Sequence, residues 1–503
     1  MDVANSLSTA VLALVLTYMA VILFFVFRGA KKTKSINDYA LGSFLFSPTA
    51  VGLSLAASMT SAATFIINPG FVAYYGVAGV ISMAVVLPLA ALGSLIVLTK
   101  GFRKAGQTVK ALTMAQWIGN MYGSKRYSIF FAFLSLLLIT FIVLICVGLT
   151  KVLSASLGVD EIWMSFMLIA FIFGYMMFGG ANSMVYTNMV QAILMVTVAI
   201  ILLGSGYDHF STGVYGFLEK LKATDPVLAE WKNEQSPLFR DFFEIVICQI
   251  IVGIAIVCQP HIITKSLLLK SEAHVNKFLW VAVLTEILFF SVVLVGLYVR
   301  ILNPELLDGD KIIPVDNVVT WYVVNHFPVY MGLILILGLI SAGLSTLEGL
   351  IQSLSITITS DILDPLAGKA LNIEKNGIFI NKLVIIMLAV VSFFLTKDQL
   401  INPNLSVGIF AQNGVYAYFS AAFFPVLYGT FRKGTPVMAA FGASLTAVLV
   451  HFSVYYVPLT SYMQGPVKNP GIAAAFAIVA SIIVGNLLIF WSKKTKTAQL
   501  QTL

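Results

Sequence analysis

Long apolar runs recur along this chain, and most of them have the length that a helix needs to cross a membrane. Such a helix takes roughly 20 apolar residues. We count about thirteen candidate spans, near residues 7–27, 45–75, 77–99, 128–156, 160–178, 185–205, 241–265, 277–300, 320–361, 379–396, 403–430, 435–457 and 471–491. The pattern predicts an all-α polytopic membrane protein.

Polar side chains interrupt one of these runs in a regular way. The apolar stretch 329–339 is followed by Ala342, Ser345, Thr346 and Gly349. These four residues share one helix face because they fall at positions i, i+3, i+4 and i+7. Two neighbouring hydroxyls and a free carbonyl on a narrow stripe suit a small hard cation such as Na⁺. The alternative is that each hydroxyl bonds back to its own helix or packs against another one.

Two further spans carry the signs of a helix break. The segment 54–70 is crowded with Ala, Ser and Thr before Pro69-Gly70, and the segment 250–261 has Pro260 next to its last residue. Proline frees a backbone carbonyl inside a helix. In transporters, the ends of discontinuous helices bind ions and solutes. We therefore expect a discontinuous helix at both places, with Pro69-Gly70 interrupting the far end of the first.

The two breaks divide the chain into similar halves. Residues 45–205 and 241–430 each hold five spans, and each half begins with a broken helix. Because five is an odd number, the halves would have opposite orientations in the membrane, as in inverted-repeat transporters. The span at 7–27 and the two spans within 435–491 would be peripheral. All of them would belong to a single transmembrane domain, 1–503.

The charged residues predict the orientation. The chain is 59% hydrophobic and 10% charged, with a formal net charge of +8. If the N-terminus is outside and the C-terminus inside, 21 of the 30 Lys and Arg residues, Lys265 among them, are cytoplasmic and 9 are external. This distribution follows the positive-inside rule, so the basic balance does not predict a nucleic-acid partner. We expect no Lys or Arg inside the membrane, which favours a small, partly apolar organic solute.

The polar residues do not indicate an enzyme. Cys146, Cys248 and Cys258 fall in predicted spans and have no metal-ligand spacing. We find no nucleophile–base arrangement and no phosphate-binding loop. The repeated filter that an ion-selective channel needs is also missing from the sequence.

Four motifs in order along the chain resemble those of one transporter family. They are NDYALGS at 37–43, LAASMTSAATFIINPG at 55–70, CQPHIITK at 258–265 and STLEGLIQSLSITITSDIL at 345–363. With these motifs the chain resembles the sodium:solute symporter family, which includes sodium–proline, sodium–pantothenate, sodium–glucose and sodium–sialic acid transporters. The resemblance implies a LeuT-type core of five plus five inverted spans, thirteen spans in total and an external N-terminus.

The resemblance also implies which residues bind the ion and the solute. The family's main sodium site would consist of the carbonyls of Ala57, Thr60 and Ala342 and the hydroxyls of Ser345 and Thr346. Three of these residues lie on the polar stripe described above. The solute contacts would come from three helices, through Ser61, Thr64, Gly253, Ile256, Gln259, Gln412 and Tyr416.

The chain departs from the family pattern at positions that bear on coupling. Many members have Asp where this chain has Asn188, and a small or hydroxyl residue where it has Glu348. We hypothesise that the carboxylate has moved across the site to Glu348, where it binds a second cation, a proton or the ammonium of a solute. The alternative is that Glu348 snorkels or is protonated against Asn188. Val252 and Ile256 replace aromatic residues of the proline carrier, which disfavours proline as the solute.

Together these observations predict a sodium-coupled symporter of the cell (inner or plasma) membrane, with Na⁺ as the coupling ion and no protein partner. It would import a small organic solute, carboxylate, amino-acid-like or vitamin-like, by alternating access. One alternative is a proton-coupled transporter that uses Glu348. Another is a sensory module of the same fold, which the short tail after the last span disfavours because it leaves no room for an output domain.

Overall fold

The computed structural model describes residues 2–43, 46–109, 111–269, 271–402 and 406–501, without the side chains of 2–8, 10, 11, 106–109 and 495–501. Lys110 and Lys270, two of the residues counted as cytoplasmic, lie outside the described residues. The same holds for residues 403–405, where the predicted span 403–430 begins.

Nearly all regular structure in the described residues is helical. Residues 2–204 form α1 (Asp2–Ala30), α2 (Ile36–Leu41), α3 (Pro48–Met59), a π-helical turn (Ala63–Ile67), α4 (Asn68–Tyr75), α5 (Val77–Val80), a second π-helical turn (Ile81–Val86), α6 (Leu87–Val109), α7 (Met114–Met121), α8 (Lys125–Leu134), a 3₁₀ turn (Ser135–Leu138), α9 (Ile139–Leu157), α10 (Glu161–Gly179) and α11 (Ala181–Gly204).

The remaining residues continue this pattern and add one short antiparallel hairpin. They form α12 (Gly213–Thr224), a π-helical turn (Phe243–Cys248), α13 (Gln249–Ile256), α14 (Pro260–Ile263), a 3₁₀ turn (Thr264–Leu268), α15 (Val275–Ser291), α16 (Val295–Leu302), β1 (Leu307–Asp308), β2 (Lys311–Ile312), α17 (Val318–His326), α18 (Val329–Thr357), a π-helical turn (Ile358–Leu363), α19 (Asp364–Leu371), α20 (Ile373–Ile401), α21 (Val407–Phe431), α22 (Val437–Tyr456) and α23 (Pro470–Gln501).

The helices agree with the prediction of a polytopic membrane protein. In the described part of the chain, ten helices are long and apolar enough to cross a membrane, and twelve if each of two bent helix pairs counts as one span. The helix α21 overlaps the predicted span at 403–430 but is not among those twelve. The count of thirteen and the external N-terminus therefore stay predictions.

Both predicted helix breaks are present. The segments Pro48–Met59 and Ala63–Tyr75 meet at 56°, and Phe243–Ile256 and Pro260–Leu268 meet at 57°. The expectation that Pro69-Gly70 interrupts the first helix is wrong, because the chain stays helical through both residues. Pro69 lies just after a π-helical turn, where the hydrogen-bond pattern changes and the missing N–H is tolerated.

The helix α18 is the centre of the fold. In its most apolar stretch 72% of the residues are buried inside the protein, so its polar stripe faces other helices and not lipid. It packs against α3, α9 and α11, while α3 also packs against α11 and α15. The first half of the first broken helix, α3, therefore ends against the polar stripe of α18.

The last two helices contact the core. The helices α22 and α23 pack against each other and against α21, and α23 also contacts α13. Their peripheral role in transport stays a prediction.

Candidate ion and solute site

Five oxygen atoms converge where α3 ends against α18. The Ser345 hydroxyl donates to the carbonyl of Ala57 at 2.7 Å and reaches that of Ala342 at 3.1 Å. The Thr346 hydroxyl lies 3.5 Å from the Ala57 carbonyl and 3.4 Å from those of Thr60 and Ala342. All five residues have no solvent exposure. We call these atoms the five-oxygen cluster.

The local fold explains why these oxygens are available. The helix α3 ends at Met59, and Thr60 has an extended backbone with φ −93° and ψ 103°. The last carbonyls of a helix have no partner within it, so those of Ala57 and Thr60 can accept other bonds. The helix α18 is continuous there and presents Ser345 and Thr346 on one face.

The alternative interpretation of the stripe can now be compared with the geometry. Both hydroxyls reach the carbonyl of Ala342 on their own helix, as back-bonding requires. Both also reach across to α3, and the shortest of all these contacts is the one between Ser345 and Ala57. Neutral hydroxyl and carbonyl oxygens from two helices form a donor set that fits a hard cation such as Na⁺.

A cavity of about 110 Å³ lies beside the cluster. Its wall includes six of the seven residues expected to contact a solute, namely Ser61, Thr64, Ile256, Gln259, Gln412 and Tyr416. Phe141, Phe290, Leu144 and Val415 supply much of its apolar surface. The cavity is therefore mainly apolar with a few polar groups, as is usual for small-molecule sites.

The expectation that Gly253 contacts the solute is not supported by its position. Gly253 does not line this cavity and instead faces α6, where an added Cβ would lie 2.7 Å from the Cβ of Ala90 and 2.8 Å from the carbonyl of Leu87. The absence of a side chain at this residue lets two helices approach each other closely.

Sequence reasoning missed three polar residues in the cavity wall. They are Asn68, Gln249 and Asn469. The first two lie within predicted spans, where an isolated amide does not show which side of the helix faces a cavity. Asn469 precedes the last helix, which the sequence marked as peripheral, and its amide also donates to Glu244 at 3.0 Å.

Two side-chain oxygens in the cavity wall have no hydrogen-bond partner among the described residues. They are Oε1 of Gln249 and Oε1 of Gln259, and both are buried. The amide nitrogen of Gln259 is occupied, since it donates to the Ile256 carbonyl at 3.1 Å. A buried acceptor without a partner is costly, so these atoms are suited to accept hydrogens from a bound molecule.

Glu348 lies on another side of α18, away from this cavity. Its Oε1 accepts bonds from Tyr175 at 2.7 Å and Gln191 at 3.0 Å, and its Oε2 accepts one from Thr187. The residue is 1% exposed and is not part of the cavity wall. The hypothesis that Glu348 binds the ammonium of a solute therefore lacks support from the geometry.

The amide of Asn188 connects Glu348 to a lysine. One of its two possible orientations satisfies both ends of the amide. In this orientation Nδ2 donates to Glu348 Oε2 at 3.1 Å and to Gln191 Oε1 at 2.9 Å. On the other side, Oδ1 accepts from Lys265 Nζ at 2.9 Å.

The sequence did not indicate that Lys265 is buried. Its assignment to the cytoplasmic side and the expectation of no Lys or Arg inside the membrane both stay predictions, since burial within the protein does not give a position along the membrane normal. Lys265 is only 3% exposed and lies in the 3₁₀ turn Thr264–Leu268, which packs against α3. The positive-inside rule assigns charges to a side of the membrane but contains no information on the packing of a short helix after a break.

A second buried carboxylate is hydrogen-bonded to a residue of the five-oxygen cluster. Glu286 of α15 has no solvent exposure, and its Oε2 accepts a bond of 2.5 Å from the Thr60 hydroxyl. Its Oε1 has no partner among the described residues. The sequence placed Glu286 in a span but gave no sign that it meets the helix break.

Known proteins resemble the chain over nearly its whole length. The model of the family described as "Sodium:solute symporter family" matches residues 39–450. The sodium/pantothenate symporter of Haemophilus influenzae is 26% identical over 408 residues, covering 78% of this chain and 80% of that protein. Its counterpart in Escherichia coli is 24% identical over 472 residues, covering 90% of each.

Solved structures share the fold. A Na⁺-coupled sialic acid symporter in a substrate-bound outward-open state aligns with a TM-score of 0.74 at 17% identity, covering 96% of this chain and 98% of that one. This likeness supports the LeuT-type core predicted from the sequence.

Proposed function

Because the chain belongs to the sodium:solute symporter family, we propose that it imports a small organic solute with Na⁺ bound at the five-oxygen cluster. It is a multi-pass transporter of the plasma membrane and not an enzyme. The observation that carries the proposal is the convergence of Ser345 and Thr346 of α18 on the free carbonyls of α3. An ion bound there would hold the two helices together.

The coupling would follow from the position of the break in the first helix. Thr60 contributes a carbonyl to the cluster, and its neighbours Met59 and Ser61 line the solute cavity. An ion that fixes this short segment would also order one wall of the cavity. Ion and solute would then stabilise the same conformation, which is the thermodynamic requirement for coupling by alternating access.

The cavity favours a solute with both apolar and hydrogen-bonding parts. The unpaired oxygens of Gln249 and Gln259 would accept O–H or N–H hydrogens, while Ser61 and Thr64 could donate to a carboxylate. Among the classes proposed from the sequence, a vitamin-like hydroxy or amide carboxylate fits best. The curated relatives named for pantothenate transport are in line with this class.

The ion site can be tested before the solute is known. Thermal unfolding of the detergent-purified protein is measured in NaCl and in KCl, for the wild type and for Ser345→Ala/Thr346→Ala. A ligand that binds only the folded protein stabilises it by about 2.7 kcal/mol at a hundred times its Kd. We expect Na⁺, but not K⁺, to raise the melting temperature of the wild type and to have no such effect on the double variant.

Ser341→Ala/Ser355→Ala is the matched control. Both of these serines are buried on α18 and bond back to carbonyls of that helix, outside the cluster. The control should keep the response to Na⁺ even if its stability is lower. Equal responses to Na⁺ and K⁺ in the wild type, or a full Na⁺ response in Ser345→Ala/Thr346→Ala, would contradict the proposal.

Once the expected Na⁺ response is established, a screen of carboxylates for further stabilisation in NaCl would identify the solute.

A further inference from the structure

The ammonium group of Lys265 is fully coordinated inside the protein. Its three N–H donors meet three acceptors, namely the Ser54 carbonyl at 3.0 Å, the Ser54 hydroxyl at 2.7 Å and the Asn188 amide oxygen at 2.9 Å. Ser54 and Asn188 are both without solvent exposure. An ammonium held in this way is a fixed feature of the protein interior.

A carboxylate with a matching environment lies on the other side of Asn188. The two oxygens of Glu348 face four hydrogen-bonding groups, from Tyr175, Thr187, Gln191 and Asn188. Four is the number of bonds that an ionised carboxylate can accept. A buried positive charge and a buried negative charge, joined by one amide, form a pair that needs no ion from solution to balance it.

This pair is adjacent to the five-oxygen cluster. The Ser58 hydroxyl lies 2.8 Å from the Asn188 amide oxygen and 3.2 Å from the carbonyl of Ser345. Ser58 follows Ala57, whose carbonyl is in the cluster. The ammonium of Lys265 is therefore held by α3 and α11 within the same small group of helices that would bind Na⁺.

We propose that Lys265 is a built-in second cation, which occupies the place beside Asn188 and Glu348 that an additional Na⁺ would otherwise take. This inference rests on the proposed sodium site and specifies its stoichiometry. The protein binds one Na⁺, at the five-oxygen cluster, and supplies the other positive charge itself. Glu348 then serves as the partner of Lys265 and does not exchange an ion with the solution during transport.

The test is to measure how much radioactive sodium the purified protein binds at saturation, without any solute. The wild type should bind one Na⁺ per chain. Lys265→Met leaves Glu348 without its cation and opens space beside Asn188, so this variant should bind two. Lys265→Met/Glu348→Gln removes both charges and should return to one. Lys265→Arg keeps the positive charge and serves as the control, with an expected value of one.

Each outcome bears on the inference. Two Na⁺ bound to the wild type, or two to the doubly neutral variant, would overturn it. So would a single Na⁺ bound to a folded Lys265→Met protein. If Lys265→Met does not fold, Lys265→Gln takes its place, because it removes the charge, keeps a hydrogen-bonding group beside Asn188 and should also bind two ions.

A failure of the proposed sodium site would look different. In that case the wild type would bind no Na⁺ at all, and Lys265→Met would bind one. The charge pair can then be examined separately in KCl. Each single substitution should lower the melting temperature by more than the doubly neutral variant does, since each leaves one charge without its partner.

Discussion

The hydroxyl of Ser345 lies 2.7 Å from the carbonyl of Ala57, 288 residues away in sequence. This contact joins the end of a broken helix to the middle of the most buried continuous one. Neither helix could form the five-oxygen cluster alone, since α3 contributes only carbonyls and α18 contributes both hydroxyls. The affinity of this contact for an ion would therefore depend on the relative position of the two helices.

Thr346 allows the role of its hydroxyl to be separated from the role of its methyl group. Thr346→Val keeps the shape and removes one oxygen of the cluster, so we expect at least a tenfold loss of Na⁺ affinity, or about 1.4 kcal/mol. Thr346→Ser keeps the oxygen and should stay within about threefold of the wild type. The measurement is the Na⁺ concentration that gives half of the maximal rise in melting temperature. Equal affinities for the two variants would show that the hydroxyl does not bind the ion.

Glu286 should strengthen Na⁺ binding, because a cation in the five-oxygen cluster would favour the ionised form of this buried carboxyl group, which has no ion-pair partner among the described residues. It accepts a hydrogen bond from the hydroxyl of Thr60, whose carbonyl belongs to the cluster. Glu286→Gln keeps an acceptor for Thr60 but removes the negative charge, so Na⁺ affinity should fall by roughly three- to tenfold. Thr60→Val is the companion variant, because it removes the hydrogen bond and leaves the charge. If the affinity of the Glu286→Gln protein for Na⁺ is unchanged, Glu286 contributes to packing and not to ion binding.

The sequence predicted the geometry of the polar stripe because a regular pattern carried the information. The helical spacing of Ser345 and Thr346 places both hydroxyls on one face. This feature follows from a local rule that any continuous helix obeys. The burial of a side chain after a helix break, as for Lys265, depends on how the segment packs in three dimensions. Local patterns do not contain that information.

The same limit explains the misplaced helix break. Pro69-Gly70 is a stronger local signal than the Thr60–Ala62 segment, but a π-helical turn before Pro69 accommodates the proline. The break forms at Thr60 instead, where α3 ends against α18 and tertiary contacts hold the extended residue. Gly253 is a comparable case, since its role in helix packing depends on Ala90 of another helix.

The unpaired oxygen of Gln259 should bind the solute. Gln259→Ala removes this acceptor, and a lost hydrogen bond to a bound molecule costs about 1 to 1.5 kcal/mol, or roughly five- to tenfold in affinity. We expect KM for uptake into proteoliposomes to rise by this factor while the dependence of stability on Na⁺ is kept. Gln464→Ala, at an exposed glutamine, is the control. A change in Na⁺ affinity without a change in KM would place Gln259 at the ion site instead.

A buried ion pair should stabilise the first half of the second broken helix. Arg240 holds both oxygens of Glu244, with Nη2 at 2.6 Å and Nε at 2.9 Å, and Glu244 has no solvent exposure. Hydrogen bonding to Glu244 raises the pKa of Arg240, so the arginine stays charged. Arg240→Met leaves a buried carboxylate without its partner and should cost about 3 kcal/mol. Arg240→Met/Glu244→Gln should be less destabilised than Arg240→Met in chemical denaturation, and the opposite order would contradict this account.

The packing of the second half of the first broken helix depends on a glycine. A Cβ added to Gly296 of α16 would overlap the carbonyl of Pro69. Backbone atoms cannot move aside as a flexible side chain can, so Gly296→Ala should destabilise the protein by about 2 to 3 kcal/mol. Gly93→Ala is the matched helical control, since no heavy atom among the described residues outside its own turns of helix lies within 4 Å of its added Cβ. It should be neutral, or stabilising by up to about 1 kcal/mol through helix propensity. Thermal unfolding of the two variants checks both values, and equal melting temperatures would show that α16 can shift away from Pro69 at little cost.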